Sequence, residues 1–128
     1  MAVAVVTQQT ERCDLKSAPP DGFVTIRRMN YGESLQRKDM MASIAMSMNT
    51  KGKGDGETKM QMDLLQEKTS LWEFSKLIVD HNLTDDKERK LDFSNPAHVR
   101  AIVGRIGDEI QMHIDRINSF EDTEETKN

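Results

Sequence analysis

The sequence predicts a mainly α fold: a small three-helix domain with one or two short N-terminal strands and disordered ends. Three observations carry that prediction. Hydrophobic residues make up 36%, charged residues 31% and aromatics only 5% of the 128 residues, a core-poor balance that suits amphipathic helices better than a β-sandwich. Three stretches space their apolar residues as helices do. The last of these, from Pro96, keeps a heptad-type seam over about three heptads. A chain of this length holds about one domain.

Residues 1–22 have no sustained period and read as a flexible N-terminal arm. Within it Ala2–Val6 is a short strand candidate, and Ser17-Ala18-Pro19-Pro20-Asp21-Gly22 is loop sequence. Residues 23–120 form the helical domain. Phe23–Met29 is β-rich and reads as one strand with a basic end, paired with Ala2–Val6 or extended toward something else. Asn30 and Glu33 then have the spacing of a reciprocal N-terminal cap. A helix over 31–48 places Met41, Ile44, Ala45 and Met48 on one face and leaves Met40 and Met46 off it. Three glycines at alternate positions mark 49–57 as a flexible linker.

The second helix is expected over Lys59–Val79. Met60, Leu64, Leu71, Phe74 and Ile78 share a side that Leu65, Trp72 and Val79 broaden. Asp80–Asp86 then reads as a polar turn. The third helix is capped by Ser94 or Asn95 with Pro96 in its first turn. Val99, Val103, Ile106, Ile110, His113, Ile117 and Phe120 recur at steps of four and three, a seam for either the core or an oligomer. Residues 121–128 are acidic, lack apolar side chains and read as a disordered tail.

Composition and spacing also set the expected chemistry. A net charge of −4 argues against a general nucleic-acid coat. The single cysteine, Cys13, allows neither an internal disulfide nor a cysteine-based zinc site. No apolar run has the ~20 residues needed to cross a bilayer, and the chain reads as cytoplasmic. Asp80, His81, Asp85 and Asp86 lack the layout of a calcium loop, and the glycine-rich linker lacks the ending of a phosphate loop. No metal, cofactor or catalytic residue is expected, so the chain reads as a non-enzyme. Nine methionines are present, and seven of them fall between Met29 and Met62. Methionine is soft, flexible and over-used where a surface adapts to a partner. Met40, Met41, Met46, Met48, Met60, Met62 and Trp72 are therefore the candidate partner-binding residues, although Met41, Met48 and Met60 also suit an inner face. Arg27, Arg28, Arg37 and Lys38 against Glu33 make a basic region that the acidic tail complements.

Val24-Thr25-Ile26-Arg27-Arg28-Met29-Asn30-Tyr31-Gly32-Glu33 resembles the opening V-x-I-R-x-L-x-Y-G-E segment of small tail assembly chaperones from long-tailed, siphovirus-type bacteriophages. Leu77-Ile78-Val79-Asp80-His81-Asn82-Leu83-Thr84-Asp85-Asp86 is similar to the later I-x-x-W-N-L-T-D-E stretch of that family, with His81 where tryptophan is common. A terminal helix follows from Pro96, as it does in the family. The resemblance implies a small, mostly helical, non-enzymatic protein that coats the tape measure protein, keeps it soluble and recruits tail tube subunits. It implies action in the host cytoplasm during assembly and absence from the mature virion. The other reading is a structural virion component or helical adaptor, such as a head–tail joining protein.

Overall fold

A computed structural model describes residues 9–51 and 55–118. The elements run β1 (Thr10–Asp14), β2 (Phe23–Arg27), α1 (Tyr31–Lys51), α2 (Asp55–Leu77), β3 (Ile78–His81), α3 (Pro96–Arg100) and α4 (Gly104–Asn118). The three strands form one antiparallel sheet in the order β1-β2-β3. This is an α+β arrangement, which corrects the expected mainly α three-helix domain.

The alternation of β2 explains why the sheet exists. Val24 and Ile26 point to one face and are fully buried, while Phe23, Thr25 and Arg27 on the other face are only half-buried. A strand so divided needs partners on both edges and a layer over its apolar face. The partner on one side is β1, paired from Thr10↔Arg27 to Asp14↔Phe23. Residues 9–22, read as flexible arm, thus hold a strand and a closed loop. Leu15 N–H donates to Gly22 O (2.8 Å), and Gly22 N–H donates to Ala18 O (2.9 Å). A Cβ on Gly22 would run into the Ala18 carbonyl, so this turn needs glycine. The proposed partner Ala2–Val6 and the acidic tail lie outside the described residues.

On the other side β2 pairs with β3, which occupies sequence expected to be the end of helix two and a polar turn. The apolar stripe continues unbroken through Ile78 and Val79, so helical spacing alone overextends the helix. Both residues are β-branched and suit a strand. The helix stops at Leu77, and Arg27 Nη2 donates to the carbonyl of Lys76 in its last turn (2.7 Å). A register irregularity at Thr25/Ile26 gives β3 one extra residue, Val79.

The expected third helix is two. Of the two expected caps, Ser94 and Asn95, it is Asn95 that caps α3 by accepting from Ala97 N–H (3.0 Å). The helix ends at Arg100, and α4 restarts at Gly104 with Val103 O accepting from Ile106 (2.9 Å) and Gly107 (3.0 Å). Two glycines within four residues weaken a continuous helix at that point. The heptad seam is only partly the buried row. Ile110, Ile114 and Ile117 are buried, Val99 and Ile106 pack at the margin, His113 is half-buried and Val103 is 52% exposed.

The core lies between the sheet and two helix segments. Cys13, Leu15, Val24 and Ile26 from the sheet side meet Phe74 and Leu77 of α2 and Ile110, Ile114 and Ile117 of α4, with Leu83 and Phe93 closing one end. The expected linker at 49–57 is helical at 49–51 and 55–57, while 52–54 fall outside the described residues.

Glu109 on α4 ties the loop after β1 to this core. Its carboxylate accepts from the amides of Lys16 and Ser17 (both 2.9 Å) and from the Ser17 hydroxyl (2.6 Å). The Ser17 hydroxyl bond leads in pulling this carboxyl from 4.5 down to about 2. Desolvation opposes the shift, and the two amides and His113 add to it.

Two outcomes follow from this packing. Ile114→Ala should cost about 2–5 kcal/mol, whereas Val103→Ala should stay within about 0.5 kcal/mol, both read by urea unfolding. The folded pKa of Glu109 lies below its unfolded one, so its stabilisation is complete above about pH 4.5 and vanishes as pH falls toward 2. Melts between about pH 5 and about pH 2.5 should be flatter in Glu109→Gln, which should already be less stable at neutral pH.

Candidate functional site

The candidate site is the face of the α1–α2 pair that the body does not cover. Its position is set at the base of the pair. Asn30 Oδ1 accepts from Glu33 N–H (2.8 Å), and Glu33 Oε1 accepts from Asn30 N–H (3.0 Å), so the reciprocal cap read from the sequence forms. The same carboxylate takes both terminal nitrogens of Arg27 (2.7 and 2.6 Å). Arg27 side-chain bonds to Glu33 and Lys76 O thus join the end of β2, the start of α1 and the end of α2. The two-pronged Arg27 contact holds the Glu33 carboxyl below its usual range and raises Arg27, burial opposing both shifts.

Farther along, the two helices meet through a buried polar contact. Glu73 of α2 is buried; it accepts from Arg37 Nε of α1 (2.9 Å) and from Gln111 Nε2 of α4 (2.9 Å). Ser70 Oγ donates to Gln111 Oε1 (2.9 Å). Leu65, Thr69 and Glu73, at i, i+4 and i+8, make the buried stripe of α2 beyond the core cluster. Trp72 is half-buried, and its Nε1, like Thr69 Oγ1, has no hydrogen-bond partner.

The exposed side chains of the pair include several large apolar ones among charged and polar neighbours. Among the described side chains of α1 only Ser34 is buried. Tyr31 is 75% exposed, Met46 68%, Met60 63% and Leu64 59%, with Leu35, Met41 and Met62 also exposed. Met40 is half-buried, and the side chain of Met48 lies outside the described residues. The inner-face reading of Met41, Met60 and Leu64 is thereby corrected: the buried row of α2 runs through Leu65, not Leu64. Tyr31 and Leu35 were missed as site residues, although their i, i+4 spacing on α1 marks them as neighbours.

Several titratable groups elsewhere are structurally engaged. Arg116 Nη2 lies 2.7 Å from Glu11 Oε2, 3.6 Å from Cys13 Sγ and 3.2 Å from His113 Nδ1. Burial and the Glu11 charge push the Cys13 thiol up, away from nucleophilic thiolate. His81 is buried and stacks on Phe93 (4.3 Å between centroids, 21° between planes) while its Nδ1 accepts from Leu83 N–H (3.0 Å). Burial and Lys90 lower its pKa, favouring the neutral ring. Beside it an open cleft of about 250 Å³ is lined by Val79, Asp80, Lys90, Leu91 and Asp92 among others. Among the described residues no group of three His, Cys, Asp or Glu could hold a metal ion, and no helix is long and apolar enough to cross a membrane.

Of the sequence-predicted basic region, Arg27 and Arg37 are absorbed in ion pairs with Glu33 and Glu73. Arg27→Ala should therefore cost about 1–3 kcal/mol, because it strands the Glu33 carboxylate and the Lys76 carbonyl. It should also speed hydrogen exchange at the start of α1 more than in α4. The chain matches no family model, no curated protein and no solved structure.

Proposed function

We propose that this chain is a non-enzymatic tail assembly chaperone. It binds the phage tape measure protein on the methionine-bearing face of the α1–α2 pair, keeps that protein soluble and recruits tail tube subunits to it. The observation that carries the reading is the separation of Met41, Met46, Met60, Met62 and Leu64, all exposed, from a core built elsewhere. An open apolar face is costly to leave in water and marks a partner surface. Flexible thioethers let such a face accept the changing side chains of a long helical client.

The two segments that resemble the family support the reading. They pair with each other, Val24 opposite His81 and Thr25 opposite Asp80. The first segment ends in the cap that starts α1. His81, at the position where tryptophan is common in the family, is used as a flat aromatic against Phe93. On this reading the protein acts in the host cytoplasm and leaves before the virion is complete.

Co-expression with the tape measure protein of the same phage tests the proposal. The wild-type chain should co-purify with it and raise its soluble yield. Met60→Glu combined with Leu64→Glu should weaken capture by roughly tenfold or more, since each side chain contributes about 1.5–3 kcal/mol when buried. Its melting temperature should stay near wild type. A wild-type chain that neither co-purifies nor changes the soluble yield would defeat the proposal. So would finding the chain as a stoichiometric subunit of purified particles.

A further inference from the structure

Strand β1 closes one side of the sheet, and its hydrogen-bond phase can be read from its two ends. Arg28 N–H donates to Gln9 O (3.0 Å) and Leu15 N–H to Gly22 O (2.8 Å), both in the register that sets Cys13 opposite Val24. An antiparallel ladder alternates hydrogen-bonded and non-hydrogen-bonded pairs. Gln9, Glu11, Cys13 and Leu15 therefore turn their backbone groups toward β2, and Thr10, Arg12 and Asp14 turn theirs outward. Side chains sort by the same parity. Cys13 and Leu15 enter the core and Glu11 meets Arg116 of α4. On the opposite face Arg12 lies 3.9 Å over the Phe23 ring, and Arg12 and Asp14 are largely exposed.

We infer that this edge pairs with β1 of a second copy of the chain. The two three-stranded sheets join antiparallel into one of six strands, with Arg12 of each copy opposite Asp14 of the other. Charge selects that register. Outward backbone groups must meet outward backbone groups, so Arg12 faces Thr10, Arg12 or Asp14 of the second copy. Facing Arg12 sets like charges directly opposite, and facing Thr10 leaves the guanidinium without an anion. Facing Asp14 forms two opposite-charge pairs, because the two-fold axis repeats each contact. The axis then passes between the two Cys13 residues. The Arg12–Asp14 contact within one strand, at 3.6 Å between exposed groups, is weak and exchanges readily for the cross-strand pair. Charges on a short edge strand ordinarily deter pairing; here they reject the other registers and accept this one.

Sedimentation equilibrium on the full chain tests the inference independently of any client. The wild-type chain should show a reversible monomer–dimer equilibrium. Arg12→Asp alone and Asp14→Arg alone should each weaken it by about tenfold or more. The double exchange R12D/D14R should restore it. On the unmodified chain, the amides of Arg12 and Asp14 should gain protection from hydrogen exchange as concentration rises, while those of Glu11 and Cys13 stay protected throughout. A chain that is monomeric at every concentration would overturn the inference, including one whose edge is covered by its own first eight residues. So would a dimer indifferent to both charge reversals, or one that the double exchange fails to recover.

Discussion

The Glu33 carboxylate is the joint on which the arrangement turns. It closes the cap that starts α1 and receives both terminal nitrogens of Arg27 from the end of β2. Arg27 in turn reaches the Lys76 carbonyl in the last turn of α2. One partly buried ion pair thus fixes a strand end, a helix start and a helix end at one place. Apolar packing does not supply this constraint among the described residues, because none of the described side chains of α1 belongs to the buried core cluster. A directional, two-pronged contact sets an orientation that hydrophobic burial, being non-directional, leaves undefined.

The molecule consequently has two parts with different physics. In the body, a sheet face, the end of α2 and one side of α4 pack into a single apolar core. In the α1–α2 pair, polar groups hold the helices while much of the apolar surface stays outside. The buried Glu73 bridge to Arg37 and Gln111 belongs to this second part. A buried carboxylate adds little net stability over an apolar substitute, but its partners' positions are sharply specified. It keeps α1 against α2 without withdrawing Met60 or Leu64 from solvent.

The sequence made some of this legible. The Asn30/Glu33 cap, a cap at Ser94 or Asn95 and a strand at 23–29, which forms over 23–27, are readable, because each rests on local chemistry within a few residues. The sheet was not, because its other strands depend on partners far along the chain. Thr10–Asp14 has no apolar alternation, with only Cys13 buried, and becomes a strand because β2 offers an edge. Ile78–Val79 continues a helical stripe and is diverted by the other edge of β2. Val103 falls in the break before α4 and drops out of the expected seam, while inside α4 the buried row takes Ile114, one residue past His113, with Ile110 and Ile117. Apolar spacing identified the methionine-rich segments, yet it could not say which methionines face inward, since that depends on where α1 lies against α2.

The exposed side chains raise the question of why α1 forms a helix over 21 residues while so few of its described side chains are buried. Local propensity contributes: Leu35, Gln36, Arg37, Lys38, Met40, Met41 and Ala42 are all good helix formers. The Asn30/Glu33 cap removes part of the cost of the first turn, and α2 alongside supplies one polar clasp. Such a helix is stable enough to present a surface and gains further stability when that surface is covered. A partner that lies along Met41, Met46 and Met60 would therefore tighten the very element that binds it. Because most contacts would be soft thioethers rather than fixed hydrogen bonds, one site could hold different stretches of a client with similar, moderate strength. On the proposed chaperone reading, that combination of a polar frame and an unspecialised apolar face suits repeated binding and eventual release.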